Sequence, residues 1–150
     1  MSTRLANHGR LINKNKALSF TFNGKHLRGF EGDTLASALL ANDQMLMGRS
    51  FKYHRPRGVV ASGAEEPNGL VNLGKGASFE PNARVTTTEL FDGLTATSQN
   101  HWPSLEFDVG AINTHLSRFL PAGFYYKMFM YPRSFWKHVY EPIIRKSAGL

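Results

Sequence analysis

The chain is 150 residues long, carries 18 Lys and Arg against 11 Asp and Glu for a net charge of +7, and contains no cysteine. The missing thiols exclude disulfide scaffolds, thiolate zinc sites, cysteine nucleophiles and cysteine-ligated iron–sulfur clusters, and a composition 41% hydrophobic and 19% charged excludes a disordered basic tail. A chain of this size buries roughly 70% of its unfolded surface, enough for one independent domain, and its positive charge favours an anionic partner or an acidic neighbouring subunit.

The first acid is Glu31, preceded by Arg4, Arg10, Lys14, Lys16, Lys25 and Arg28. Residues 1–16 read as a flexible N-terminal arm, in preference to an organelle transit peptide. Leu18, Phe20 and Phe22 alternate with polar residues, Asn23-Gly24 is a strong hairpin signal, and residues 25–30 run back antiparallel. Asp33 and Thr34 then supply a turn and a helix N-cap, with Leu35, Ala38 and Leu39 at the spacing of one helical face through about Asn42. Residues 44–64 form a basic loop with a short extended piece: Arg49, Lys52, His54, Arg55 and Arg57, with Phe51 and Tyr53 interleaved. Further short strands are predicted over residues 70–73 and 84–90, separated by turns at Gly74 and Gly76 and closed by Asp92-Gly93. After Gln99 the texture changes, and residues 119–140 hold nine of the 18 aromatic residues. Prolines 103, 121, 132 and 142 divide this region into short helices, expected around residues 109–118 and 133–140. Such a tail either covers the α/β unit or forms an interface with another domain or subunit. No apolar run reaches the 18 or so residues a membrane-spanning helix needs.

Chemical motifs are sparse. The six histidines show no pairing that would place two imidazoles on one helix face toward a metal. No glycine-rich dinucleotide or phosphate-loop motif appears, nor a G-x-S-x-G nucleophile elbow. Adjacent loop carboxylates such as Glu65 and Glu66 are usually solvated, so neither is assigned an acid–base role. The basic loop alone has a physical signature: four full charges, a histidine and two aromatics within nine residues bind phosphates and stack flat rings, or pack on an acidic face of a partner. A stand-alone nucleic-acid-binding domain is therefore the alternative reading, though no recognised nucleic-acid motif accompanies the loop.

The run from Gly48 to Gly58, following Gly32 to Ala41, strongly resembles the N-terminal region of the alpha subunits of the heterotetrameric sarcosine oxidase family. The resemblance continues through Glu65 to Asn68, Trp102 to Leu105, Pro121 to Lys127 and Tyr140 to Pro142, nearly the whole chain. It implies an α+β fold: a ferredoxin-like β-grasp with a mixed sheet and one helix over residues 17–98. A mostly helical or irregular aromatic extension, 99–150, then leads toward a dinucleotide-binding domain. Registering on Arg57-Gly58 places Ala61, Glu66, Gly69 and Thr86 where cluster-holding relatives carry cysteines, and none of the four supplies a thiolate. The resemblance further implies a cytoplasmic structural and docking part of an enzyme that oxidatively demethylates sarcosine to glycine. That enzyme uses FAD, FMN and NAD, and yields hydrogen peroxide and formaldehyde or methylene-tetrahydrofolate. No catalytic residue, metal or cofactor is expected on this chain alone. Its implied partners are the rest of the alpha subunit and the other subunits, with Arg49, Lys52, His54, Arg55 and Arg57 near a subunit junction or a flavin phosphate.

Overall fold

The protein is represented by a computed structural model that describes residues 2–119 and 131–147. Strand β1, Asn13–Phe22, turns Leu18, Phe20 and Phe22 to one buried face. Asn23 and Gly24 both take positive φ, as a two-residue hairpin turn requires, and β2, Lys25–Glu31, returns antiparallel with Lys25 opposite Phe22. The strand reaches back to Asn13, across an irregularity between Asn13 and Ala17, into the stretch read from sequence as an arm. Ahead of it, the Thr3 amide donates to Ala41 O at 3.0 Å and the Arg4 guanidinium pairs with Asp33 at 2.7 Å.

Helix α1, Leu35–Ala41, begins where the sequence places its cap. The Thr34 hydroxyl accepts the Ser37 amide and the Ser37 hydroxyl accepts the Thr34 amide, a reciprocal capping box. Asp33, directly before it, is buried and accepts bonds from the Phe30 amide and the Ser37 hydroxyl, so the hairpin and the helix share one polar node. The buried residues Leu35, Ala36, Ala38 and Leu39 lay the helix on the sheet.

The sheet is completed by β5, Leu70–Leu73, β6, Glu80–Arg84, and β7, Thr95–Thr97, in the order β2-β1-β7-β5-β6. Only β1 and β7 run parallel, which makes the sheet mixed. Strands β3, Gly48–Arg49, and β4, Pro56–Arg57, form a separate antiparallel ribbon within the basic loop. Phe20, Phe22, Leu39, Met47, Val71, Val85 and Leu94 fill the core between helix and sheet. This is the ferredoxin-like β-grasp, an α+β fold in which one helix crosses a five-stranded mixed sheet.

Three local expectations change. The strand expected over residues 84–90 lies instead at Glu80–Arg84, and beyond it the amides and hydroxyls of Thr87 and Thr88 all turn back to the Arg84 carbonyl. Threonine hydroxyls bonding locally compete with a ladder in this way. In place of one helix over residues 109–118 there are a 3-10 turn, Val109–Ala111, a single α-turn, α2, Ile112–His115, and a second 3-10 turn, Ser117–Phe119. The helix expected over residues 133–140 is a π-helical turn, Trp136–Tyr140, continued by α3, Glu141–Ser147. Pro142 lies inside this continuous helical run, directly after the π-helical turn, and has no backbone N–H to donate there. Phe124, Tyr125, Tyr126 and Phe129 lie outside the described residues. Among those described, no helix is long and apolar enough to cross a membrane.

Candidate functional site

The β3–β4 ribbon presents residues 50–55 as a tight tip. The Ser50 amide donates to Arg55 O at 2.9 Å, the Arg55 amide to Ser50 Oγ at 3.0 Å, and His54 sits at φ 53°. The five basic-loop residues then divide. Arg49 points inward and donates to three carbonyls, Leu105 O and His54 O at 2.9 Å and Glu106 O at 3.2 Å. His54 pairs through Nδ1 with Asp108 Oδ2 at 2.7 Å. The other oxygen of Asp108 accepts the Trp102 and Gly110 amides, each at 3.0 Å. Burial pushes the Asp108 carboxyl up, but the Trp102 N–H, the His54 ring and the Gly110 N–H together hold it below its ordinary value. Gly110 lies flat on the imidazole, and a Cβ there would overlap the ring. Arg49, His54 and Asp108 thus form a clasp that ties the loop tip to residues 102–111.

Of the other three cations, Arg55 is exposed and Lys52 and Arg57 are half-buried. Lys52 Nζ and the Arg55 guanidinium each lie 4.7 Å from the centre of the Tyr53 ring, a cation–π arrangement. Arg57 donates to Asn68 Oδ1 at 2.5 Å. Beside them opens a cavity of about 270 Å³ whose lining includes Phe51, Arg57, Asn68, Gln99 and Asn100.

A second site lies in the loop between β4 and β5. Against the sequence expectation of a solvated carboxylate, Glu66 is fully buried, at 0% exposure. Its Oε2 accepts the amides of Val60 at 2.6 Å and Ala61 at 2.7 Å, and its Oε1 accepts those of Asn68 at 2.6 Å and Gly69 at 3.1 Å. Thr86 closes the other side by donating its hydroxyl to Gly63 O at 2.7 Å, and Arg84 Nε donates to Glu66 O at 2.9 Å. Burial alone would raise the Glu66 carboxyl, but four N–H donors outweigh it and the group titrates below its ordinary value. Neighbouring Glu65 is exposed, as expected. The structure therefore gathers Ala61, Glu66, Gly69 and Thr86 around one loop.

These residues do not fit an iron–sulfur cluster. A four-thiolate ligand set is absent from the chain. A Cβ built at Gly69 would meet Val85 Cγ2 at 2.7 Å, so that position has no room for a ligand side chain without a shift of the core. The loop amides are already taken by the Glu66 carboxylate.

Sequence reasoning did not single out Asp108. Its signal was the Asp-x-Gly pattern at 108–110, typical of a side chain that accepts an amide two residues on, but its pairing with His54 spans 54 residues.

The chain is 61% identical over 149 residues to the sarcosine oxidase alpha subunit of Rhizobium meliloti (strain 1021), matching 99% of this chain and 15% of that protein. It is 42% identical over 92 residues to the sarcosine oxidase alpha subunit of Corynebacterium sp. (strain U-96), matching 59% of this chain and 10% of that one. The chain thus spans a small fraction of the length of these relatives. Among solved structures, L-proline dehydrogenase from P. horikoshii aligns with a TM-score of 0.46 and 24% identity, over 62% of this chain and 18% of that chain. A family profile described as a 2Fe-2S iron–sulfur cluster binding domain matches residues 15–101. With more than half of its length inside that match and its sequence shared with sarcosine oxidase alpha subunits, the chain belongs to the 2Fe-2S iron–sulfur cluster binding domain family.

Proposed function

We propose that this chain is a structural and docking part of a sarcosine oxidase-type alpha subunit, placed ahead of a dinucleotide-binding domain. It carries no catalytic residue of its own. The identity of 61% over 149 residues carries this reading. In the assembled enzyme, FAD, FMN and NAD are held elsewhere and sarcosine is oxidatively demethylated to glycine. Hydrogen peroxide is formed, with formaldehyde or methylene-tetrahydrofolate as the one-carbon product, in the cytoplasm.

The docking surface is built on exposed Arg55 and the half-buried Lys52 and Arg57, together with the exposed aromatics Trp102 and Phe107 on the segment that the clasp ties to the loop. Cations beside exposed aromatics suit a junction with an acidic subunit face or a flavin phosphate. Arg49 and His54 support that surface from behind. Three of the loop's five cationic or titratable groups, Arg49, His54 and Arg57, bond within the chain, which leaves less charge for a nucleic-acid backbone than the sequence count offers.

The test is made in the full-length alpha subunit, co-expressed with its partner subunits. Lys52→Ser, Arg55→Ser and Arg57→Ser are combined, and subunit assembly and flavin content are measured. The reading expects a fall in at least one of them; unchanged values for both reject the loop as a docking surface.

A further inference from the structure

The family is described as binding a 2Fe-2S cluster, and this chain has no thiol, yet the loop that would hold the cluster closes around a buried carboxylate. In cluster sites, backbone N–H groups converge on an anion, because successive amides make a concavity that favours negative charge. The same arrangement is present here, with the amides of Val60, Ala61, Asn68 and Gly69 converging in two pairs on the two oxygens of Glu66. A carboxylate fully removed from water is costly to bury unless it is bonded throughout, and this one is. Leu70 begins the next strand immediately after the second pair, and the Val85 amide donates to Gly69 O at 2.9 Å, so the loop's shape is passed directly to the sheet.

We propose that the Glu66 side chain is an internal substitute for the cluster: a fixed anion, carried by the chain itself, that templates residues 59–69. The consequence is a β-grasp loop whose shape depends neither on iron supply nor on redox state. It also defines a latent anion site. If the side chain is removed, the four amides face a cavity of carboxylate size that a small carboxylate from solution fills.

Three variants of the full chain test this. In Glu66→Gln one oxygen becomes an amide nitrogen that cannot accept, so one amide pair, either Val60 with Ala61 or Asn68 with Gly69, exchanges with deuterium about tenfold faster or more while the other keeps most of its protection. In Glu66→Asp the carboxylate is one methylene short and cannot satisfy both pairs, so protection falls at one or both. In Glu66→Ala all four amides lose protection, and millimolar acetate or formate raises the thermal midpoint whereas chloride at equal ionic strength does not; wild type, whose site is already filled, shows no such difference. Amides of α1 serve as the internal reference. Protection of all four amides as in wild type in Glu66→Gln would overturn the proposal. So would acceleration spread evenly over α1 and the loop, or a rescue by acetate no greater than by chloride. If Glu66→Ala fails to fold, the pairwise loss in Glu66→Gln decides.

Discussion

Replacement of Asp108 by alanine removes the one group on which the clasp converges. The carboxylate is buried, accepts two backbone amides at 3.0 Å each and the His54 ring at 2.7 Å, and lies 3.6 Å from Arg49 Nε. Each amide bond to a charged acceptor contributes about 1.5–3 kcal/mol. Because these bonds share one acceptor they do not sum, and removal of one partner from a buried charged pair costs about 3–5 kcal/mol in total. Against a stability of about 5–15 kcal/mol for a domain of this kind, the variant remains folded but weakened. With a urea slope of about 1–3 kcal/mol/M, the midpoint falls by about 1–5 M. Amide exchange locates the damage: Trp102 and Gly110 lose protection first, while β1 and β2 keep theirs until global unfolding. Asp108→Asn, which keeps one acceptor oxygen, falls between the two. A loss under about 0.5 kcal/mol for Asp108→Ala, within the range of an ordinary surface change, or no local change at Trp102 and Gly110, would refute the clasp.

Gly110→Ala places a methyl group against the His54 ring, and relief requires the loop tip to move. The expected cost is about 1–3 kcal/mol, read by thermal unfolding, and it disappears in a His54→Ala background if the overlap is the cause. Phe20→Ala, at the centre of the core with 2% exposure, costs about 3–5 kcal/mol in urea unfolding. Stability also falls in acid. Glu66 and Asp108 are both held below their unfolded values of about 4, so the stabilisation is fully present above that pH and is lost as pH falls through the folded values. Unfolding free energy measured from pH 6 to pH 3 should therefore drop, and Glu66→Gln should flatten the slope. An unchanged slope in that variant would remove Glu66 from the acid response.

The hairpin and α1 were legible because their signals are local. Asn23-Gly24 can take positive φ at both turn positions, and Thr34 with Ser37 caps the helix within four residues. Strand β7 was not legible: Thr95–Thr97 is three residues long, and its strand character comes from its neighbours β1 and β5. The basic loop stood out by composition, but composition could not divide it. Arg49 and His54 turn inward because carbonyls and a carboxylate from residues 105–108, distant in sequence, meet them. Glu66 was misjudged for the opposite reason. A glutamate beside another glutamate reads as solvent-facing, and only the folded loop shows four amides with no other acceptor of equal strength. The position of Glu66 in the loop carried the information, and its residue type concealed it.

The central claim is that a cluster-binding scaffold has been kept while its cluster has been replaced by a carboxylate. Anaerobic incubation of the full chain with ferrous iron and sulfide, followed by desalting, iron determination and a visible spectrum, tests it most directly. The account predicts no retained iron, no visible absorption, and unaltered protection of the Val60, Ala61, Asn68 and Gly69 amides. Stoichiometric iron with the visible bands of an iron–sulfur centre would contradict it.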